Sequence, residues 1–161
     1  MRCTVVGAGV SGLTTAIRLL ESGHEVEIVS DKFSPETVSD VAAAIWYPFR
    51  VRPADRADTW GIVTYDVLEG LCTEAPEAGV TMRDGKEDLR DVADLPPWSD
   101  DIAAFRILDE DEIPEGYVFG WEFRAPVIEM PLYMPWLRSK VEEGGGTFRH
   151  GVIEELSDRP G

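Results

Sequence analysis

Basic residues are scarce in this sequence: 15 Lys and Arg stand against 31 Asp and Glu, a net charge of -16 over 161 residues. That balance argues against a nucleic-acid partner, whose phosphates need a basic surface, and against an anionic membrane on the same ground. The acidity points to no chemistry of its own and reads as a solvated surface that keeps the protein in solution. Cysteine is nearly absent as well. Cys3 and Cys72 are the only two, one in an expected strand and one in an expected helix, so no disulfide framework is expected. The only histidines, His24 and His150, lie far apart, and no metal site is expected. No apolar run is long enough to span a bilayer, and a first strand starting at residue 2 leaves no room for a signal peptide. A reducing cytoplasm is the expected compartment.

What the chain does have is apolar material for a core, 43% of its residues, in a length suited to one ordinary domain. The pattern is α/β. Cys3-Thr-Val-Val6 is a short β-rich run that Gly7 breaks. Leu13, Ala16, Ile17 and Leu20 then share one face at helical spacing, and Gly23 ends the helix as C-terminal glycines do. Glu25 to Ser30 alternates and reads as a second strand. Residues 31 to 54 are irregular, with the small-residue run Asp40-Val-Ala-Ala-Ala-Ile-Trp46 among three prolines. Residues 55 to 73 are predicted helical, with Trp60, Val63, Val67, Leu68 and Leu71 as the apolar stripe. The acid-rich stretch 84 to 101 is expected to be a surface loop. Short β-like pieces recur at 103–107, 117–123 and 127–130. Pro131 opens a helix, Gly144-Gly-Gly146 closes it, and 147–154 reads as a third strand.

Gly7, Gly9 and Gly12 match the G-x-G-x-x-G turn between a strand and a helix. In such a turn the first glycine permits a tight exit from the strand, the second admits a pyrophosphate, and the third lets the helix pack closely. The helix N-terminus then offers N–H groups and a partial positive charge to the phosphates. An acid is expected about 20 residues on to hold the ribose hydroxyls, and Asp31 stands there. Strand, turn, helix, strand and acid in register predict a dinucleotide site. The acid disfavours NADP, whose extra phosphate prefers arginine, although Lys32 beside it softens that exclusion. Geometry alone does not separate FAD from NAD.

The next stretch does separate them. Asp31-Lys-Phe-Ser-Pro-Glu-Thr-Val-Ser-Asp-Val-Ala-Ala-Ala-Ile-Trp-Tyr-Pro48 resembles the D-amino-acid oxidase family of FAD flavoproteins. That family has a similar acid–base pair, a Phe-x-Pro turn, a hydroxyl-rich patch and then Asp-Val-Ala-Ala-Gly-Leu-Trp-x-Pro. Val5-Val-Gly-Ala-Gly-Val-Ser-Gly-Leu-Thr-Thr-Ala16, Phe119-Gly-Trp121 and Tyr133-Met-Pro-Trp-Leu137 extend the likeness over essentially the whole chain. The resemblance implies a Rossmann-like FAD-binding fold, incomplete in this chain, made by residues 1–50 and 131–161. Residues 51–130 would add a helical segment and the start of an inserted, partly β, substrate-side region. It implies that Ala8, Gly9, Val10 and Ser11 lie along the pyrophosphate, and that Asp31 binds the adenosine ribose with Lys32 beside it. Thr37, Val38 and Ser39 match the hydroxyl-rich patch near the phosphates and ribityl chain. Ala43, Ala44 and Ile45 would run past the flavin ring, and Val152 would meet the adenine through its backbone. Ala44 replaces a usual glycine and Val38 a hydroxyl residue. Tyr47 is the substrate-side candidate, and no residue of this chain is expected to be catalytic.

Family members are longer chains. The resemblance implies that a further cofactor-binding strand, the substrate-binding arginine and tyrosines, and a late glycine-rich flavin segment come after Gly161. In a doubly wound fold the first strand is flanked on both sides, so one edge of Cys3–Val6 is expected to be open, an arrangement that invites aggregation. The chain is therefore expected to be the FAD-binding half of a D-amino-acid-oxidase-like enzyme, completed by a second polypeptide. The implied reaction passes hydride from the α-carbon of a D-amino acid to the flavin, which O2 reoxidises to give an imino acid and hydrogen peroxide. Glycine, sarcosine or D-aspartate oxidation on the same fold, and a non-catalytic FAD- or NAD-binding subunit, stay open. Trp46, Trp60, Trp98 and Trp121 are expected to pack in the interior. His24 suits a helix end, His150 a surface strand, and Asp109-Glu-Asp-Glu112 a solvated helix start.

Overall fold

The computed structural model describes residues 1–48, 51–102 and 104–155, with backbone only at 54 and 55. Ala103, at the start of one predicted β piece, and residues 49, 50 and 156–161 lie outside the described residues. The chain divides into two compact units. The first comprises Met1–Ala43, Glu77–Gly79 and Glu129–Gly161, the second Ala44–Pro76 and Val80–Ile128.

The first unit is built on three parallel strands, β1 (Arg2–Val6), β2 (Glu25–Ser30) and β6 (Thr147–His150), in the order β1-β2-β6. Helix α1 (Val10–Glu21) connects the first two, and α3 (Met130–Glu143) leads into the last. Leu13 and Ala16 of α1 are buried with Val26, Ile28 and Val29 of β2 and Met134, Leu137 and Val141 of α3. Both helices stop in the same way. Gly23 and Gly145 take positive φ, and the following residues reach back, His24 to the Leu19 carbonyl and Gly146 to that of Val141. This satisfies helix-end carbonyls in a conformation that glycine adopts without strain. β2 holds the middle of the sheet, since β6 pairs with its far side. Among the described residues β1 pairs only with β2, and Val6 is exposed. On the described residues the other edge of β1 is therefore open.

The second unit is an antiparallel sheet with the order β3-β5-β4, formed by β3 (Val80–Leu89), β4 (Arg106–Ile107) and β5 (Phe119–Ile128), with α2 (Ala54–Glu74) packed against it. Two expectations need correction here. The stretch from 84 is strand, not loop, as far as Leu89: all ten residues of β3 pair in register with β5. Its acidic sequence carries little strand propensity, but a long partner supplies the ladder and decides the outcome. Gly85 leaves room for the ring of Phe123 opposite, since a β-carbon there would sit 2.9 Å from it. The pieces foreseen at 117–123 and 127–130 are one strand that runs through Pro126, whose carbonyl accepts from the Trp46 amide at 2.9 Å.

The second correction concerns the face of α2. Its buried side carries Ala57, Tyr65 and Leu68 together with Gly61, whereas Trp60, Val63 and Val67 are 57%, 57% and 47% exposed. The helix carries two apolar rows, and the row with small residues packs inward. A β-carbon at Gly61 would meet Pro48 at 3.2 Å, and the Tyr65 hydroxyl donates to the Arg124 carbonyl at 3.0 Å. Trp60 is thus not an interior residue. Trp46, Trp98 and Trp121 are, as expected.

Candidate functional site

Parallel strands bring their carboxyl ends to one edge, and in the first unit three loops leave from that edge. The glycine turn follows β1, Asp31 and Lys32 follow β2, and Gly151 and Val152 follow β6. Residues distant in sequence therefore converge where doubly wound sheets bind ligands. Gly7 takes φ 98 and donates its amide to the Val29 carbonyl at 2.8 Å, which ties the turn to β2. Gly12 has no room for a side chain: a β-carbon there would lie 2.0 Å from the Gly7 carbonyl oxygen. The first helical hydrogen bond of α1 runs from Leu13 to the Gly9 carbonyl at 3.0 Å. The amides of Val10, Ser11 and Gly12 precede it and have no partner inside the helix, which is the arrangement that receives phosphate oxygens.

Two serines organise this turn. Ser30, buried at the end of β2, accepts the Ala8 amide at 3.2 Å and donates to the Lys32 carbonyl at 2.6 Å. It thereby couples the glycine turn to the Asp31–Lys32 corner. Ser39 accepts the Val10 amide at 3.0 Å, and a β-carbon on Gly9 would come within 2.9 Å of its hydroxyl. Ser39 sits in a short 3-10 turn, Val38–Val41, whose first residue is preceded by Thr37. There Asp40 accepts from the Thr37 amide at 2.9 Å, the Thr37 hydroxyl at 2.5 Å and the Ser34 hydroxyl at 2.5 Å. Burial raises the Asp40 carboxyl, but the hydrogen bonds from Ser34 and Thr37 outweigh it and hold the group below its ordinary value. Ser30, Ser34 and Asp40 were not singled out from the sequence. Thr37 and Asp40 do stand at capping-box spacing, so the signal was present.

Asp31 and Lys32 are exposed at the corner, and Val38, Val41 and Val152 are 86%, 84% and 70% exposed around the turn. Exposed apolar side chains on the loops that leave the same sheet edge as the helix-start amides fit a ligand with both phosphate and flat aromatic parts. The residues present suit a dinucleotide.

Of the remaining candidates, Ala43 ends the first unit and Ala44 and Ile45 open the second. The Ala44 carbonyl accepts from the Ile128 amide at 2.8 Å, and Ile45 bridges Val127. This leaves the Ile45 side chain exposed. Tyr47 packs against Trp98 and Phe123 with ring centroids 5.5 Å away in each case, and its hydroxyl donates to Glu87. Burial first, then the Glu87 hydrogen bond and charge, push the phenol pKa far up. Elsewhere on this unit a hollow of about 390 Å3, lined by Asp84, Ala104, Phe105, Arg106, Glu122 and Phe123, contains none of the sequence-predicted site residues. Among the described residues no group of acids, histidines and cysteines could hold a metal ion, and no helix is long and apolar enough to cross a membrane.

A glycine turn at the carboxyl edge of a parallel sheet, with an acid on the neighbouring strand, defines a dinucleotide-binding α/β protein. The chain belongs to the FAD-dependent oxidoreductase family that includes the D-amino-acid oxidases, whose model matches residues 2–161, so the resemblance read from Asp31–Pro48 is borne out. The cofactor of this family is FAD. The chain is 40% identical to a D-amino-acid oxidase of Rubrobacter xylanophilus over 158 residues, covering 98% of this chain and 48% of that protein. It is 36% identical to a human D-aspartate oxidase, covering 96% and 48%. The chain thus spans about half the length of the curated relatives it matches. In fold it is similar to an L-amino acid deaminase from Proteus vulgaris, with a TM-score of 0.72 and 16% identity over 95% of this chain and 46% of that one.

Proposed function

We propose that the chain is the FAD-binding half of an enzyme that oxidises D-amino acids to imino acids with reduction of O2 to hydrogen peroxide. The observation that carries this reading is the convergence of three strand ends on one edge: a glycine turn opening the N-terminus of α1, an exposed acid corner after β2, and the exposed Val152 after β6. On this reading Ala8, Gly9, Val10 and Ser11 lie along the pyrophosphate while Gly7 and Gly12 shape the turn; Val29, Ser30 and Ser39 hold the Gly7, Ala8 and Val10 amides, and those of Gly9, Ser11 and Gly12 are left to meet the phosphates. Asp31 accepts from the adenosine ribose hydroxyls, with Lys32 beside it. Thr37, Val38 and Ser39 flank the phosphates and ribityl chain, Val152 meets the adenine, and Ala43, Ala44 and Ile45 line the flavin ring. FAD, when bound, supplies the hydride acceptor and the route to O2. The chain's own task is to bind and orient it. Tyr47 serves the substrate side as a positioning residue, holding the 44–47 segment against Glu87 and the aromatic cluster.

Substrate-binding groups would then come from a second polypeptide that also covers the open edge of β1. The unbridged thiols of Cys3 and Cys72 suit a reducing cytoplasm for such an assembly. D-aspartate is the second substrate reading, favoured by the similarity to a D-aspartate oxidase. The test is to titrate the chain with FAD, alone and together with the C-terminal portion of the Rubrobacter relative, following flavin absorbance. Anaerobic addition of D-alanine or D-aspartate should then bleach the flavin in the assembled sample. A chain that leaves the flavin spectrum and fluorescence untouched, with or without the second half, rules the reading out.

A further inference from the structure

Three loops leave the carboxyl edge of the first sheet, and one residue touches all of them. Ser30 ends β2, and its hydroxyl accepts the Ala8 amide of the glycine turn at 3.2 Å. The same oxygen accepts the Lys32 amide at 3.3 Å and donates to the Lys32 carbonyl at 2.6 Å, closing the chain around Asp31. The Ser30 carbonyl accepts the Gly151 amide at 2.9 Å, which ties down the third loop next to Val152. A serine hydroxyl has one proton and two lone pairs, and all three are engaged here. β2 alternates so that Ser30 continues the buried row of Val26 and Ile28. A hydroxyl at the end of an apolar row costs free energy unless its hydrogen bonds offset it. The bonds it makes, rather than the space it fills, account for a serine at this position.

We propose that Ser30 is a positioning residue for the cofactor: it sets the separation between the turn that meets the pyrophosphate and the acid that meets the ribose before FAD arrives. This role rests on the reading of this edge as the FAD site. In FAD the adenosine ribose is joined directly to a phosphate, so the groups that recognise the two must stand at one fixed separation. Loops free to move would lose affinity to their own ordering on binding. A buried tie between them removes that loss and makes the two contacts interdependent. Asp31 then contributes its full share only while Ser30 holds the corner. Ser30 acts through these neighbours and not on the cofactor, since its oxygen is saturated by protein groups.

Flavin-fluorescence titration with FAD tests it on the parent, Ser30→Ala, Asp31→Asn and the double variant, in whichever preparation of the parent, alone or assembled, binds FAD. Ser30→Ala should weaken FAD about tenfold. Asp31→Asn, at an exposed position, should weaken it several-fold in the parent and much less in Ser30→Ala, so that the two losses do not add. Hydrogen exchange without FAD gives a second readout. The Ala8 amide should lose protection in Ser30→Ala, whereas the Gly7 amide, held by the Val29 carbonyl at 2.8 Å, should keep it; a general loosening of the sheet would release both. Far-UV circular dichroism checks folding, and should Ser30→Ala fail, Ser30→Cys, similar in size but a weak hydrogen-bonding group, takes its place. A Ser30 variant that binds FAD as the parent does, losses that simply add, or joint release of Gly7 and Ala8 would overturn the positioning role alone. A parent that binds no FAD in any preparation refutes the cofactor reading, and this role with it.

Discussion

A β-carbon on Gly12 would stand 2.0 Å from the carbonyl oxygen of Gly7. No rotamer relieves that contact, because the obstructing atom is backbone at the other end of the same turn. Gly12→Ala must therefore move α1 away from β1, at a cost on the order of 3 kcal/mol for forced overpacking, and displace the amides proposed to receive the pyrophosphate. Gly9→Ala is a milder case, since its nearest neighbour is the rotatable hydroxyl of Ser39. Thermal denaturation with and without FAD should show Gly12→Ala losing both stability and cofactor stabilisation, and Gly9→Ala losing mainly the second. Equal melting temperatures for Gly12→Ala and the parent would refute the packing argument.

The Asp40 carboxylate ties Ser34 and Thr37 to the turn that presents Ser39 to the Val10 amide. Its folded pKa lies below the ordinary value of 3.8. A depressed carboxyl contributes stability that is present above the unfolded pKa and is lost as pH falls through the folded one. Asp40→Asn should cost about 1 kcal/mol at neutral pH, the usual worth of such a cap, and the gap between variant and parent should close as pH drops below about 4. Melting curves of both proteins across that range are the measurement, and a gap that widens in acid would contradict the assignment.

The turn and the acid corner were legible because their signals are local. Strand, glycines, helix and Asp31 fall within one run of about 30 residues, the length of a βαβ unit. What was not legible depends on partners distant in sequence. Nothing in Arg83-Asp-Gly-Lys-Glu-Asp88 announces a strand; it becomes one because β5 pairs with it residue for residue. Both rows of α2 carry apolar residues, and the buried one holds Gly61, whose lack of a side chain admits Pro48 and Trp46. Ser30 offered no motif at all. Its role arises only when the loops after β1 and β2 are adjacent.

Tyr47 and Glu87 form a polar contact beside an aromatic cluster in which the rings of Tyr47, Trp98 and Phe123 stand 5.5 Å from one another. Because the folded pKa of Tyr47 is raised above 10.0 by burial and by Glu87, the neutral phenol contributes stability that is full below pH 10 and declines as pH rises beyond it. Tyr47→Phe removes the donor and leaves the Glu87 carboxylate half-buried without it, costing on the order of 1–2 kcal/mol. Chemical denaturation at neutral pH and at pH about 11 should show the parent losing more stability than the variant over that interval. Parallel losses would show that the phenol titrates as it does in the unfolded chain.

β1 lies at the sheet edge, and the direction of its hydrogen bonds alternates along it. Met1 accepts from Glu25 and Gly7 donates to Val29, so the odd-numbered residues between them face β2, and Thr4 and Val6 direct their amides toward the open side. Hydrogen exchange of the chain alone should accordingly be slow at Cys3 and Val5 and fast at Thr4 and Val6, a contrast within a single strand that fraying would not produce. If a second half supplies the neighbouring strand, adding it should slow Thr4 and Val6 by orders of magnitude and leave Cys3 and Val5 nearly unchanged. Protection of all four amides in the chain alone would mean that the edge is already covered, and the case for a completing strand at this position would fall.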